Sequence, residues 1–190
     1  MAEVLLFHHA NGLTDGVLAF ADDLREAGHV VHTPDLYDGK TFTDLDQGVG
    51  YAKEVGFGTI GERGRQAAES LPSELVYVGF SLGAMPAQEL AQTRSGAKGA
   101  VLYHSAIPPE EFGGSWPNGL PLQIHIMEDD EWADEDLPVA RQLDESVESA
   151  ELHVYPGDSH LFADSSLPDY DEDAAKQAKQ RVLSFLDDIQ

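Results

Sequence analysis

The chain of 190 residues contains no cysteine and few basic residues, with 11 Lys and Arg against 35 Asp and Glu. Without cysteine it can form no disulfide, no thiolate nucleophile and no cysteine-ligated zinc site. The formal net charge of −24 repels phosphate backbones and anionic lipids, so nucleic-acid and membrane partners are not expected. No apolar run approaches the roughly 20 residues of a membrane-spanning helix, and the first residues, MAEVLLFHHANG, carry no basic segment typical of a secretion signal. We expect a soluble, cytoplasmic protein with one domain over residues 1–190.

The excess of acidic residues has two possible explanations, a solvated surface suited to high salt or one concentrated acidic binding face. The acidic side chains are spread over most predicted helices and loops rather than gathered in one block. This distribution favours the first explanation, a salt-adapted surface on a halophilic protein.

Short apolar runs alternate with longer helical patterns along the whole chain. This alternation predicts an α/β fold, with a mostly parallel sheet of about six strands and helices on both faces. Strands are predicted at residues 4–8, 30–33, 75–79, 99–103, 122–127 and 152–155. Helices are predicted at residues 16–26, 44–54, 59–71, 82–93, 136–149 and 171–188. Two irregular loops, residues 105–121 and 157–170, follow carboxyl ends of strands, where open parallel sheets place their functional sites.

The segment Gly79-Phe80-Ser81-Leu82-Gly83 lies between a predicted strand and a predicted helix. A serine in so sharp a turn needs small residues two positions before and two positions after it, and glycine meets that need. The helix that follows directs its free N–H groups toward the serine oxygen. The segment therefore predicts a nucleophile at Ser81, against the plainer interpretation of a glycine-rich connection.

A serine nucleophile needs a histidine base and an acid that orients the base, in the chain order serine, acid, histidine for this kind of turn. His160 lies in the loop after the last predicted strand and is the candidate base. The candidate acid lies in EDDE at positions 128–131, where Asp130 is favoured and Asp129 stays open. Backbone N–H groups of Ala10, after the first strand, and of Leu82 are the candidate oxyanion donors.

The segments LLFHHANGLTDGV, HTPDLYDG, GFSLGA, DDEW and YPGDSHLF resemble those of the dienelactone hydrolase family, within the α/β-hydrolase superfamily. The resemblance implies a compact α/β-hydrolase fold, with Ser81 as nucleophile, Asp130 as acid and His160 as base. Well-known members of that family have cysteine as nucleophile and a glutamate after the first strand that controls the thiolate, where this chain has Ser81 and His9. An ordinary serine triad is therefore expected, and dienelactone is not assumed to be the substrate.

The sequence thus predicts a serine hydrolase that cleaves an ester or lactone of a small soluble substrate, without metal or organic cofactor. Acyl transfer to an acceptor other than water, and a non-catalytic binding protein on the same scaffold, are the alternatives. The oligomeric state is left open. The expected walls of the substrate pocket are aromatic and imidazole side chains near the predicted site: His9, His104, Trp116, Trp132 and Phe162. For His104, at the end of the fourth strand, a purely structural role is equally compatible with the sequence.

Overall fold

The computed structural model describes residues 1–189. Six parallel strands form one sheet in the order β2-β1-β3-β4-β5-β6. The strands are β1 (Glu3–Phe7), β2 (Val30–His32), β3 (Val76–Phe80), β4 (Gly99–Tyr103), β5 (Leu122–Met127) and β6 (Ala150–Tyr155). The central strands are buried along their full length, because helices cover both faces of the sheet.

Six α-helices connect or follow the strands. They are α1 (Asp15–Glu26), α2 (Leu45–Val55), α3 (Phe57–Glu69), α4 (Ala84–Thr93), α5 (Asp136–Ser146) and α6 (Glu172–Asp188). Thr14, Asp44 and Asp171 cap three of them, since each side chain accepts a hydrogen bond from a backbone N–H in the first turn. Among residues 1–189, no helix is long and apolar enough to cross a membrane.

The core has two parts, one on each side of the sheet. Apolar side chains of α2 to α5 pack on one face, around Phe7, Tyr77 and Ile124. Helices α1 and α6 cover the other face, where Phe80 and Phe162 are buried. The predicted α/β class, with a sheet of six strands between two layers of helices, is confirmed, and the sheet is parallel throughout.

Several boundaries differ from the sequence prediction by a few residues. Strand β3 extends to Phe80, and a 3-10 turn over Ser81–Gly83 precedes α4, which begins at Ala84 rather than at position 82. Pro86 consequently lies in the first turn of α4, where a missing backbone N–H costs no helical hydrogen bond. The loop at 105–121 contains a 3-10 turn, Pro109–Phe112.

Candidate active site

Ser81 lies at the junction of β3 and α4, in a strained backbone conformation. Its φ angle is +49°, in the left-handed region that side chains other than glycine rarely adopt. A Cβ at Gly79 would lie 2.3 Å from the carbonyl oxygen of Gly83, and one at Gly83 would lie 2.4 Å from that of Phe7. Both glycines are therefore required by close backbone approach, as the sequence argument supposed. The turn leaves Ser81 half-buried at the carboxyl edge of the sheet.

A line of hydrogen bonds joins Ser81 to a histidine and an aspartate. Ser81 Oγ lies 2.8 Å from His160 Nε2, and His160 Nδ1 lies 2.6 Å from Asp130 Oδ2. His160 and Asp130 are both buried, with 6% and 4% of their surface exposed. These three residues come from loops after three different strands, β3, β5 and β6. With the proton on Nδ1 donated to Asp130, Nε2 has a lone pair directed at the serine hydroxyl.

Asp130, and not Asp129, makes the contact with His160. The second oxygen of Asp130 accepts a hydrogen bond from the backbone N–H of Trp132 at 2.9 Å and caps the 3-10 turn Glu131–Ala133. Asp129 is exposed, and its backbone N–H donates to the carbonyl of Gly157. The carboxylate of Asp130 is thus fixed from both sides.

The loop after β1 lies against the serine turn. Gly12 N–H donates to the carbonyl of His9 at 3.0 Å and closes a tight turn around Ala10. Within residues 1–189 the backbone N–H of Ala10 donates to no protein acceptor. Helix α2 supports this loop at Gly48, where an added Cβ would lie 2.4 Å from the carbonyl oxygen of Ala10. Leu82 directly follows the serine in the 3-10 turn.

His9 does not present its ring to the surface of the site. It is fully buried, and its Nε2 lies 2.7 Å from Asp164 Oδ2. Its ring is enclosed and bonded to a carboxylate, so it lies behind the surface of the site, and a role for His9 in lining a substrate pocket stays a prediction. His8 packs beside it, with Nδ1 bonded to the carbonyl of His9 and Nε2 accepting from Leu36 N–H. Burial is the main reason that the pKa of His8 falls to about 4.

His104 lies beneath the base, and its side chain is enclosed rather than open to substrate. Its ring centroid is 5.5 Å from that of His160 and 4.8 Å from that of Phe162. The residue is fully buried, at a φ of +65°, and neither ring nitrogen has a hydrogen-bond partner among the described residues. Burial lowers the pKa of His104 strongly, and neighbouring histidines lower it further, so this imidazole is neutral.

The three aromatic residues expected around the pocket occupy different environments. Trp132 is 49% exposed, and its ring lies 6.1 Å from that of His160, at the open side of the site. Phe162 is fully buried under His104, so it forms the floor of the site rather than an open wall.

Trp116 lies in a cavity whose lining includes no residue of the triad, and its place in the substrate pocket stays a prediction. Its indole N–H donates to the carbonyl of Leu120, and the residue lines a cavity of about 650 Å³ between the 108–119 segment and α5. The loop folds toward α5 because Trp116 and Leu120 join the core on that face of the sheet.

Two carboxylates near the site, Asp164, which is buried, and Asp136, which is half-buried, were not identified from the sequence as part of it. Asp164 lies four residues after His160, inside the loop already recognised as irregular. Asp136 opens α5 and accepts hydrogen bonds from Ser105 Oγ at 2.8 Å and from Ala106 N–H at 3.2 Å. Burial raises the pKa of Asp136 despite these two bonds. An aspartate directly after three apolar residues, as in HLFAD, was the available signal for Asp164.

Comparisons with known structures agree on the fold. A candidate dienelactone hydrolase from Klebsiella pneumoniae subsp. pneumoniae MGH 78578 superposes with a TM-score of 0.75 at 19% identity, covering 99% of this chain and 87% of that chain. A dienelactone hydrolase-like promiscuous phosphotriesterase from metagenomic libraries gives 0.76 at 20% identity, covering 100% and 87%. A metagenome-derived lipolytic enzyme gives 0.64 at 15% identity, covering 98% and 93%. No curated protein matches the sequence.

The family comparison extends over the whole sequence. The model of the dienelactone hydrolase family matches residues 1–190. This match includes both the Gly-Phe-Ser-Leu-Gly turn and the loop that carries His160. The chain belongs to the dienelactone hydrolase family and is an α/β hydrolase of the ester- and lactone-cleaving type.

Proposed function

We propose that the protein is a serine hydrolase that cleaves an ester or lactone of a small soluble substrate through an acyl-enzyme on Ser81. The observation that carries the proposal is the continuous line from Ser81 through His160 to Asp130, at 2.8 and 2.6 Å. A serine hydroxyl is a weak nucleophile until a base removes its proton, and this line supplies the base in the required tautomer.

In the first half of the reaction, Ser81 Oγ attacks the carbonyl carbon while its proton passes to His160 Nε2. The imidazolium formed is stabilised by the carboxylate of Asp130, whose other oxygen is fixed by Trp132 N–H. The proton then passes from His160 to the leaving alkoxide, the bond between carbonyl carbon and leaving oxygen breaks, and an acyl-serine remains. For a lactone, the leaving hydroxyl stays attached to the acyl group.

In the second half, water replaces the alcohol. His160 removes a proton from water, the hydroxide adds to the acyl carbon, and collapse of the tetrahedral intermediate returns the proton to Ser81. In both halves the negative charge on the carbonyl oxygen is stabilised by backbone N–H groups, which we assign to Ala10 and Leu82. Support for Ala10 comes from its N–H, which makes no bond with the protein within residues 1–189.

A small substrate is favoured by the loop at 105–121. Gln88 on α4 donates to the carbonyl of Ile107 at 2.6 Å and accepts from its N–H at 3.0 Å, and Gln92 donates to the carbonyl of Pro109. Because these hydrogen bonds hold the loop against α4, the loop does not form a separate cap domain over the triad. The exposed indole of Trp132 beside His160 offers an apolar surface for the substrate.

The proposal is tested by labelling and by turnover. A fluorophosphonate probe is expected to label the wild type and not Ser81→Ala, and p-nitrophenyl acetate and a small lactone are expected to be hydrolysed by the wild type alone. Adding an alcohol acceptor distinguishes hydrolysis from acyl transfer, since transfer yields a new ester. A wild type that neither labels nor turns over these substrates contradicts the proposal.

A further inference from the structure

We propose that Asp164 and His9 are a positioning pair that holds the oxyanion loop of residues 9–12 in its working conformation. The proposal rests on the proposed function, since it concerns the loop that carries Ala10. It assigns no contact with the substrate to either residue. Both lie behind the site and would act through the backbone of that loop.

The hydrogen bonds of His9 determine its tautomer. Its Nδ1 accepts from the backbone N–H of Asn11 at 3.2 Å, so Nδ1 has a lone pair and the proton is on Nε2. That Nε2–H donates to Asp164 Oδ2 at 2.7 Å. Together with the bond from Gly12 N–H to the His9 carbonyl, the ring fixes the backbone on both sides of Ala10. The loop conformation therefore depends on which nitrogen of His9 is protonated.

Both carboxylate oxygens of Asp164 accept hydrogen bonds from groups around them. Oδ2 also accepts from the Thr14 hydroxyl at 2.5 Å, and Oδ1 accepts from Ser166 N–H at 2.8 Å and from the Ser166 hydroxyl at 2.6 Å. The carboxylate lies close to the first turn of α1, where a Cβ on Gly16 would be 1.7 Å from Oδ1. A helix N-terminus and four donors stabilise a negative charge there.

The ionisation of Asp164 agrees with this set of donors. Burial on its own would raise the pKa of Asp164, but the bonds from His9, Ser166 and Thr14 outweigh it and bring the pKa to about 2. An ionised carboxylate has no proton to donate, so it accepts Nε2–H and excludes the other neutral tautomer of His9.

The pair also connects two catalytic loops. Asp164 belongs to the loop of His160, and its backbone N–H donates to the carbonyl of Leu161. His9 belongs to the loop of Ala10. A side-chain contact between positions 155 residues apart thereby ties the candidate base and the candidate oxyanion donor to each other. Misplacing such a donor affects the transition state more than the bound substrate.

The test compares Asp164→Asn with the wild type and with Ser166→Ala. In Asp164→Asn, an amide N–H₂ group faces His9 and favours the tautomer with its lone pair on Nε2 and its proton on Nδ1. The Nδ1–H group then faces Asn11 N–H, so two hydrogen-bond donors oppose each other. We expect kcat for p-nitrophenyl acetate to fall about 10- to 100-fold, less than the loss of a whole oxyanion donor, with KM changed less than threefold. Affinity for phenylboronic acid, which forms a tetrahedral adduct on serine, should fall by the same factor as kcat. Ser166→Ala removes a hydroxyl that donates to Asp164 Oδ1 and accepts from Gly16 N–H, both on the α1 side, and should keep kcat within twofold.

A second variant and a spectrum keep the test decisive if Asp164→Asn does not fold. His9→Gln retains a donor for Asp164 but loses the acceptor for Asn11 N–H, and it should lower kcat to a similar degree. Long-range ¹H–¹⁵N spectra of histidine-labelled wild type should show His9, identified by its loss in His9→Gln, as the Nε2–H tautomer.

The outcomes separate this inference from the proposed function. An inactive, unlabelled wild type overturns both. An active wild type overturns the inference alone if kcat and boronate affinity persist in the variants, if only KM rises, if Ser166→Ala loses as much activity as Asp164→Asn, or if His9 is the Nδ1–H tautomer.

Discussion

Replacing Asp130 by asparagine changes one oxygen to an N–H₂ group and leaves the size of the side chain unaltered. Asp130 faces two donors, His160 Nδ1–H and the backbone N–H of Trp132. The Trp132 N–H is fixed, so the remaining amide oxygen should turn toward it. The N–H₂ group then faces His160 and requires a lone pair on Nδ1. His160 accordingly has its proton on Nε2 and cannot accept the proton of Ser81.

The size of the effect follows from the two contacts. Recovering the productive tautomer requires turning the amide, which leaves the Trp132 N–H facing a donor and costs about 1–3 kcal/mol. The imidazolium also loses a charged acceptor, which is worth about 1.5–3 kcal/mol. Together these costs amount to about 2.5–6 kcal/mol, or a decrease of about 10²- to 10⁴-fold in kcat/KM.

The assay is the hydrolysis of p-nitrophenyl acetate at pH 7.5, with circular dichroism as the check on folding. Asp129→Asn is the matched control, because it removes an exposed carboxylate from the adjacent position, and it should retain at least half of the activity. A folded Asp130→Asn that loses less than tenfold would refute the reasoning, as would an equal loss in the two variants.

Three further predictions follow from charge. Melting temperature should rise between low salt and 1 M KCl, where the Debye length is about 3 Å, because screening relieves self-repulsion at a net charge of −24; an unchanged melting temperature argues against a salt-adapted surface. The pKa of Asp164 is about 2 in the folded protein against an ordinary value of 3.8, so its ionisation stabilises the fold by on the order of 2 kcal/mol. This contribution is complete above about pH 5 and is lost as the pH falls toward 2. The free energies of urea unfolding of Asp164→Asn and wild type should therefore differ most at pH 7 and less at pH 3. A p-nitrophenyl ester that ends in a carboxylate should have a higher KM than its neutral analogue of equal length, because the exposed carboxylates of Glu128, Asp129 and Glu131 around Asp130 repel it. The difference in KM should become smaller as salt is added, and equal KM values would contradict this.

The serine turn could be predicted because its requirements are local. A Cβ at Gly79 would meet the backbone of Gly83, within a few residues of Ser81, whereas a Cβ at Gly83 would meet the backbone after and at the end of β1. Both needs are nevertheless met by glycines at fixed positions around the serine, which leaves a pattern in the sequence. The order of strands likewise brings the loops of Asp130 and His160 to the same edge of the sheet. The structure adds that Asp130, and not Asp129, contacts His160.

The residues behind the site could not be predicted in this way. The contact between His9 and Asp164 joins distant positions and has no local signature, so His9 was assigned to the pocket surface. The packing of Trp116 toward α5 could not be predicted either, because a loop after a strand can fold toward either neighbouring helix and its length does not say which. Phe162 was expected as a pocket wall, whereas the rings of Tyr103 and His104 enclose it. In each case the side chain's environment is set by partners from another part of the chain.

The left-handed backbone at Ser81 has a consequence for how this fold balances stability against chemistry. A non-glycine residue in that region raises the free energy of the folded state by about 1–2 kcal/mol, and glycine would adopt φ +49° without that cost. The side chain of the proposed nucleophile therefore destabilises the folded state. Stability on its own would favour glycine at position 81, between Gly79 and Gly83. A serine at this position lowers the stability of the fold, so its hydroxyl is explained by chemistry rather than by folding.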